Sequence, residues 1–144
     1  MKSCTFFGHR DCPETIKPKI HTAVVDLIEN HGVTMFYVGN QGNFDRMVRS
    51  VLKEVTTAYP QVGYAVVLAY MPSAKATALP EDFSDTILPE GIEEIPKRYT
   101  IPWRNKWMIE HADFVVTYVL KPSGGAAKFS LLSKKRGKKI YSLI

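Results

Sequence analysis

Cysteine is nearly missing from the 144 residues: only Cys4 and Cys12 occur, and neither forms a CxxC pair or stands at metal-ligand spacing from the four histidines. A disulfide framework and a metal centre of ordinary spacing are excluded, and the thiols read as one buried strand residue and one loop residue. Long apolar runs are missing too. None reaches the roughly 18 residues that a membrane-spanning helix needs, and Met1 to Gly8 lacks a basic region followed by a long apolar one, so the expected location is cytoplasmic. Three familiar signatures are also wanting. Without GxGxxG there is no dinucleotide fingerprint, without GxxxxGK there is no P-loop, and without GxSxG there is no nucleophile elbow. No internal repeat or low-complexity tract occurs.

The remaining composition is that of a globular chain, 45% hydrophobic and 23% charged, of a length that suits one domain over residues 1–144. Apolar residues alternate between strand-like and helix-like patterns. Cys4 to Phe7 reads as a strand and Gly8 to Pro13 as a loop. Ile16, Ile20, Ala23, Val24, Leu27 and Ile28 then recur at helical spacing up to Asn30-His31-Gly32, with Pro18 tolerated in the first turn. Val33 to Val38 is a second strand. Phe44, Met47, Val48, Val51, Leu52 and Val55 mark a helix that ends before Pro60. Tyr64 to Tyr70 reads as a strand covered on both faces. Prolines interrupt residues 71–102, a long loop or lid. Trp103 to His111 is helical, Asp113 to Leu120 a strand, Ala126 to Lys135 a helix and Lys139 to Ile144 a closing strand. The expected fold is α/β: a Rossmann-like, doubly wound, mostly parallel sheet of about five strands with helices on both faces.

Three loops then fall at the carboxyl ends of strands, where such sheets bind ligands. They are Gly8-His9-Arg10, Gly39-Asn40-Gln41-Gly42-Asn43 and Ser123-Gly124-Gly125. Glycine lets backbone N–H groups approach an anion, and the helix N-terminus that follows favours negative charge. Arg10 offers a planar, permanently charged fork to phosphate oxygens. His9 either donates to the same anion or braces the loop. Asn40, Gln41 and Asn43 suit sugar hydroxyls or base edges, and for Asn43 a helix-cap role is the better reading. Lys128, early in the last helix, is a further phosphate contact or a solvent-facing cation. Of the formal charge of +5, much comes from Lys134, Lys135, Arg136, Lys138 and Lys139, read as a solvated turn or as a nucleic-acid contact.

Phe6-Phe7-Gly8-His9-Arg10, the Val38 to Asp45 stretch, and Arg104, Met108, Ala112 and Asp113 followed by Gly124-Gly125 together resemble the SLOG superfamily. That superfamily groups the Rossmann domain of DNA-processing protein A with the "lonely guy" phosphoribohydrolases. The similarity spans essentially the whole chain and looks closest to small stand-alone bacterial and phage members. It implies a nucleotide-binding domain, commonly homo-oligomeric, in which Arg104 meets a phosphate. Trp107 is expected to pack against the sheet, while Trp103 or Tyr99 is a candidate for stacking on a base. The phosphoribohydrolases carry a glutamate after the second glycine pair, and alignment on Gly124-Gly125 puts Leu131 there. Leucine transfers no proton, so an enzyme of that type would need Asp45 or Glu110 as substitute.

The expected work is binding or sensing of a nucleotide-like small molecule, with no cofactor and no metal. The alternatives are a nucleoside-monophosphate N-glycosidase that uses Arg104 with Asp45 or Glu110, and a single-stranded nucleic-acid binder that uses the basic segment.

Overall fold

A computed structural model describes residues 1–70 and 86–144, and these form one parallel sheet flanked by helices. The order along the chain is β1 (Lys2–Gly8), α1 (Lys17–His31), β2 (Val33–Val38), α2 (Gly42–Ala58) and β3 (Gly63–Val67). After these come β4 (Thr86–Ile87), α3 (Thr100–Glu110), β5 (Phe114–Tyr118), α4 (Gly125–Lys135) and β6 (Lys139–Ser142). Spatially the strands run β4-β3-β2-β1-β5-β6, every neighbouring pair parallel. Strand order therefore reverses at β1, which lies between β2 and β5. The crevice that opens at such a reversal is set at the carboxyl end of β1.

Two apolar clusters cover the two faces of the sheet. Cys4, Phe6, Phe36, Val66, Phe114 and Val116 pack with the buried stripes of α1 and α2. Phe7, Val67 and Val115, on the opposite face, pack with Met108 and Ile109 of α3 and Phe129 of α4. Successive strand residues point to opposite faces, so a nearly continuous apolar run such as Cys4 to Phe7 serves both clusters at once. Each side chain so buried contributes about 1.5–3 kcal/mol.

The helical stripes read from the sequence are the buried ones: Ile20, Ala23, Val24, Leu27 and Ile28 in α1, and Phe44 through Val55 in α2. Gly32, left-handed at φ 72°, ends α1. Several boundaries differ from expectation, among them the following. β3 ends at Val67 rather than Tyr70, and the next amide, Leu68 N–H, donates to the Ile87 carbonyl of β4. β5 ends at Tyr118 and β6 at Ser142, two residues short of Leu120 and Ile144. α3 begins at Thr100, not Trp103, because Pro102 falls in its first turn, where no N–H is required. The sheet has six strands rather than five, since β4 lies inside the stretch expected to be a loop. Residues 71–85 of that stretch are outside the described residues. The remainder carries β4 and 3₁₀ turns at Ile92–Glu94 and Lys97–Tyr99, anchored by the buried Ile92. Among the described residues no helix is long and apolar enough to cross a membrane.

The carboxyl end of β1 is sterically closed around Gly8: a Cβ there would stand 2.4 Å from Cγ of the Phe44 ring. Gly8→Ala is therefore expected to cost about 1–3 kcal/mol through forced repacking. At Gly63 a Cβ would meet only Met35 Sδ at 3.5 Å, and Gly63→Ala should stay within about 0.5 kcal/mol of the parent. Urea unfolding compares the two, and equal midpoints would show that Phe44 simply moves aside.

Candidate functional site

The three glycine loops meet at one edge, as the parallel register of β1, β2 and β5 requires. Between them lies a cleft of about 220 Å³. Gly8, His9 and Arg10 line it from the β1 loop, and Gln41 and Asp45 from the start of α2. Arg104 and Asn105 line it from α3, and Gly125 from the first residue of α4. Its apolar wall is Phe7, Ile101, Met108 and Phe129.

Gly42 fixes how the first two loops touch. It is left-handed at φ 83°, and a Cβ would lie 2.8 Å from the Arg10 Cα, so only glycine lets the backbones approach. Asn43 N–H donates to the Arg10 carbonyl at 2.8 Å, and the Asn43 side-chain amide donates to the Cys12 carbonyl. The Asn43 side-chain oxygen Oδ1 accepts from Arg46 Nε at 3.0 Å. This corrects the expected helix-cap role: the N-cap of α2 is Gln41, without a side-chain cap bond, and Asn43 instead laces the β1 loop to the helix.

Deeper in, Arg104 is only 2% exposed. Its guanidinium donates through Nη1 to the Val67 carbonyl at 2.9 Å, through Nη2 to the Gln41 side-chain oxygen, and through Nε to Asn105 Oδ1 at 2.8 Å. Asp45 Oδ2 accepts the Gln41 N–H at 3.0 Å. Asp45 and Arg104 both press on Gly39, where a Cβ would stand 2.7 Å from Asp45 Oδ2 and 3.2 Å from Arg104 Cζ. Burial pushes the Asp45 carboxyl above its ordinary range, against the Gln41 N–H and the fields of Arg104, Arg49 and Arg10. Burial also lowers the Arg104 guanidinium, which Asp45 opposes. The site thus combines three nearby arginines with one carboxyl that is reluctant to ionise.

Other expected residues lie around the cleft or, like His9, are bonded at its rim. Gly39 is beneath its floor, and Asn40 holds Arg49 through its side-chain oxygen. Ser123 and Gly124 are exposed in the loop before α4, whose N-cap, Gly124, makes no side-chain cap bond. Lys128 is exposed, its Nζ 5.5 Å from the Phe129 ring centroid. His9 Nε2 accepts N–H bonds from Leu120 at 2.8 Å and Lys121 at 3.2 Å. Glu110 is away from the cleft at the far end of α3, exposed and 4.0 Å from Arg136. Leu131 is 54% exposed, and α4 turns Ala126 and Phe129 to the cleft instead, so this helix supplies no acid or base there. Trp107 packs edge-on against Tyr37 with centroids 5.5 Å apart, while Tyr99 is exposed and, like Trp103, is absent from the described lining. The basic residues Lys134 to Lys139 sit at the opposite edge of the sheet, with Lys139 paired beside Phe114 at the start of β5. Among the described residues no group of three or more His, Cys, Asp or Glu is arranged to hold a metal.

Sequence reasoning gave no site role to Asn105 or to the apolar wall, although Phe7 and Met108 of that wall carry the resemblance. Asn105 had one usable signal, its adjacency to Arg104. The wall had none, because Met108 and Phe129 read equally well as core.

No family model matches the sequence, and no curated protein matches it at a significant level. Among solved structures, DNA processing protein A from Streptococcus pneumoniae superposes with a TM-score of 0.71 over 99% of this chain, at 12% sequence identity. The two share a fold. It is the doubly wound α/β architecture expected from the sequence, and the chain spans 50% of that protein's length.

Replacing Arg104 by Leu would strand the Gln41 side-chain oxygen, the Val67 carbonyl and the Asp45 carboxyl. A loss of about 3–5 kcal/mol is expected in denaturant unfolding. Because the folded state holds the Asp45 proton more tightly than the unfolded chain does, its contribution to stability is fullest at acid pH. That contribution declines as pH rises through the raised value. Asp45→Asn should remove this decline, read as a flatter melting temperature between about pH 4 and pH 8; unchanged slopes would refute the assignment.

Proposed function

We propose that the cleft binds a nucleotide or nucleotide-derived ligand, and that the protein's work is recognition or sensing of that ligand. The observation that carries this reading is the convergence of Arg10, Arg104 and the first turn of α4 on one small cleft with an apolar wall. Cations and open helix-start N–H groups favour phosphate, and an apolar wall favours the carbon faces of a sugar or base. The shared architecture with a DNA processing protein fits a role connected with nucleotides or nucleic acid.

A thermal-shift and calorimetric panel of nucleotides, cyclic nucleotides and ADP-ribose-like compounds tests the proposal. A true ligand at a hundredfold excess over its Kd adds about 2.7 kcal/mol of stability. Arg10→Ala should weaken binding roughly 10- to 100-fold, the worth of a charge-assisted bond. A panel without any shift would defeat the reading.

The position of Asp45 favours a second reading. A carboxyl with a raised pKa that lines a cleft beside an arginine is suited to donate a proton, as hydrolysis of an N-glycosidic bond requires. Free base would then be released from nucleoside monophosphates, about 10²–10⁴-fold more slowly in Asp45→Asn. No release across the panel would remove the enzyme and leave the binder. A nucleic-acid role would rest on Lys134, Lys135 and Arg136 at the other edge, and their replacement by alanine would abolish it without affecting the cleft.

A further inference from the structure

The loop after β5 is tied to the cleft by one atom. His9 Nε2 receives the backbone N–H groups of both Leu120 and Lys121, at 2.8 and 3.2 Å, across the carboxyl ends of β1 and β5. An imidazole nitrogen can accept only while it carries no proton, so the ring stands here as the tautomer protonated on Nδ1. The residues beyond this tie, Lys121 to Gly125, are all exposed, and a Cβ on Gly124 or Gly125 would meet nothing within 4 Å. Besides the Gly124 carbonyl, which accepts the Lys128 N–H of α4 at 3.1 Å, their further described anchor is the exposed pair Lys121 Nζ to Asp11, at 3.5 Å, a class of contact that contributes little. The loop leads directly into Gly125, which lines the cleft.

We propose that His9 is a positioning residue that acts through its unprotonated Nε2, holding the β5–α4 loop so that the first turn of α4 faces the bound anion. This rests on the cleft being the anion site and adds how that site is assembled. The proposal inverts the usual role of a histidine near phosphate. An imidazolium would present a donor to two donors, break both bonds and release the loop, so acidification weakens anion binding even as it adds positive charge. The groups facing His9 are Arg10 and Asp11 on its own loop, the Tyr118 ring edge-on at 6.1 Å, and Lys121 on the loop it holds. The test spans the range in which imidazole side chains in general change charge, about pH 5 to pH 8.

Sulfate is a suitable probe because its charge is constant over that range. Its binding to the ¹⁵N-labelled protein would be measured between about pH 8 and pH 5, together with the amide resonances of Leu120 and Lys121. The wild type should bind sulfate at least about tenfold more weakly at the acid end, and both amides should move with the His9 imidazole signal. His9→Gln keeps an acceptor that does not titrate, and should retain binding with a flat pH profile. His9→Phe should bind weakly throughout. Sulfate affinity that rises towards acid in the wild type, or that falls equally in His9→Gln and His9→Phe, would overturn the proposal. If sulfate binds at no pH, the cleft reading fails alone. The two amides still decide the latch, supporting it if they follow the imidazole and refuting it if they stay still.

Discussion

A single buried guanidinium holds the working edge of this protein together. Arg104 reaches from α3 to the end of β3 and to the loop before α2, and so joins three elements. A charge removed from water must be compensated, and here the compensation is shared between hydrogen bonds and the Asp45 carboxyl. The consequences spread outward. Gly39 has to be glycine because Arg104 and Asp45 both occupy the space of its missing side chain. Gln41 has its side-chain oxygen committed to Arg104.

The sheet topology explains why this edge is where chemistry collects. β1 is the first strand made and the central one in space, with β2 on one side and β5 on the other. Chain connections leave it in opposite directions and open a gap that no crossover fills. The β1 loop brings Gly8, His9 and Arg10, and helix starts bring the rest of the polar lining: Gln41 and Asp45 at α2, Arg104 at α3, Gly125 at α4. The strongly basic segment is at the other edge, so the net charge of the chain says little about the cleft.

Much of the architecture was legible in the sequence because period and punctuation agreed. The stripes of α1 and α2 repeat at helical spacing, and Gly32 and Pro60 close them, so local preference and tertiary burial point the same way. Strand ends were less legible. Leu68 and Ala69 are buried as a strand would be, yet their backbone leaves the ladder after Val67, and hydropathy cannot distinguish the two states. The loops were correctly located by their glycines, but the roles within them were not readable. Asn43 has the composition of a cap and acts as a strut between loops, while His9 suited either an anion contact or a loop brace, and its Nε2 is spent on two amides. Such choices are made by partners more than 30 residues distant, which no local pattern encodes. Leu131 shows the opposite case: a motif offset placed it in the site, and the helical phase of α4 turns it to solvent.

The lacing of Asn43 to Arg10 and Cys12 gives the rim a mechanical asymmetry. Two of its three loops are fused into one unit with α2, so a ligand meeting them finds a surface already shaped and loses little freedom in docking there. The third arc, from Lys121 to Gly125, is secured mainly at its root. Traffic in and out of the cleft should therefore pass on that side, with the fused pair acting as anvil and the single arc as the part that yields.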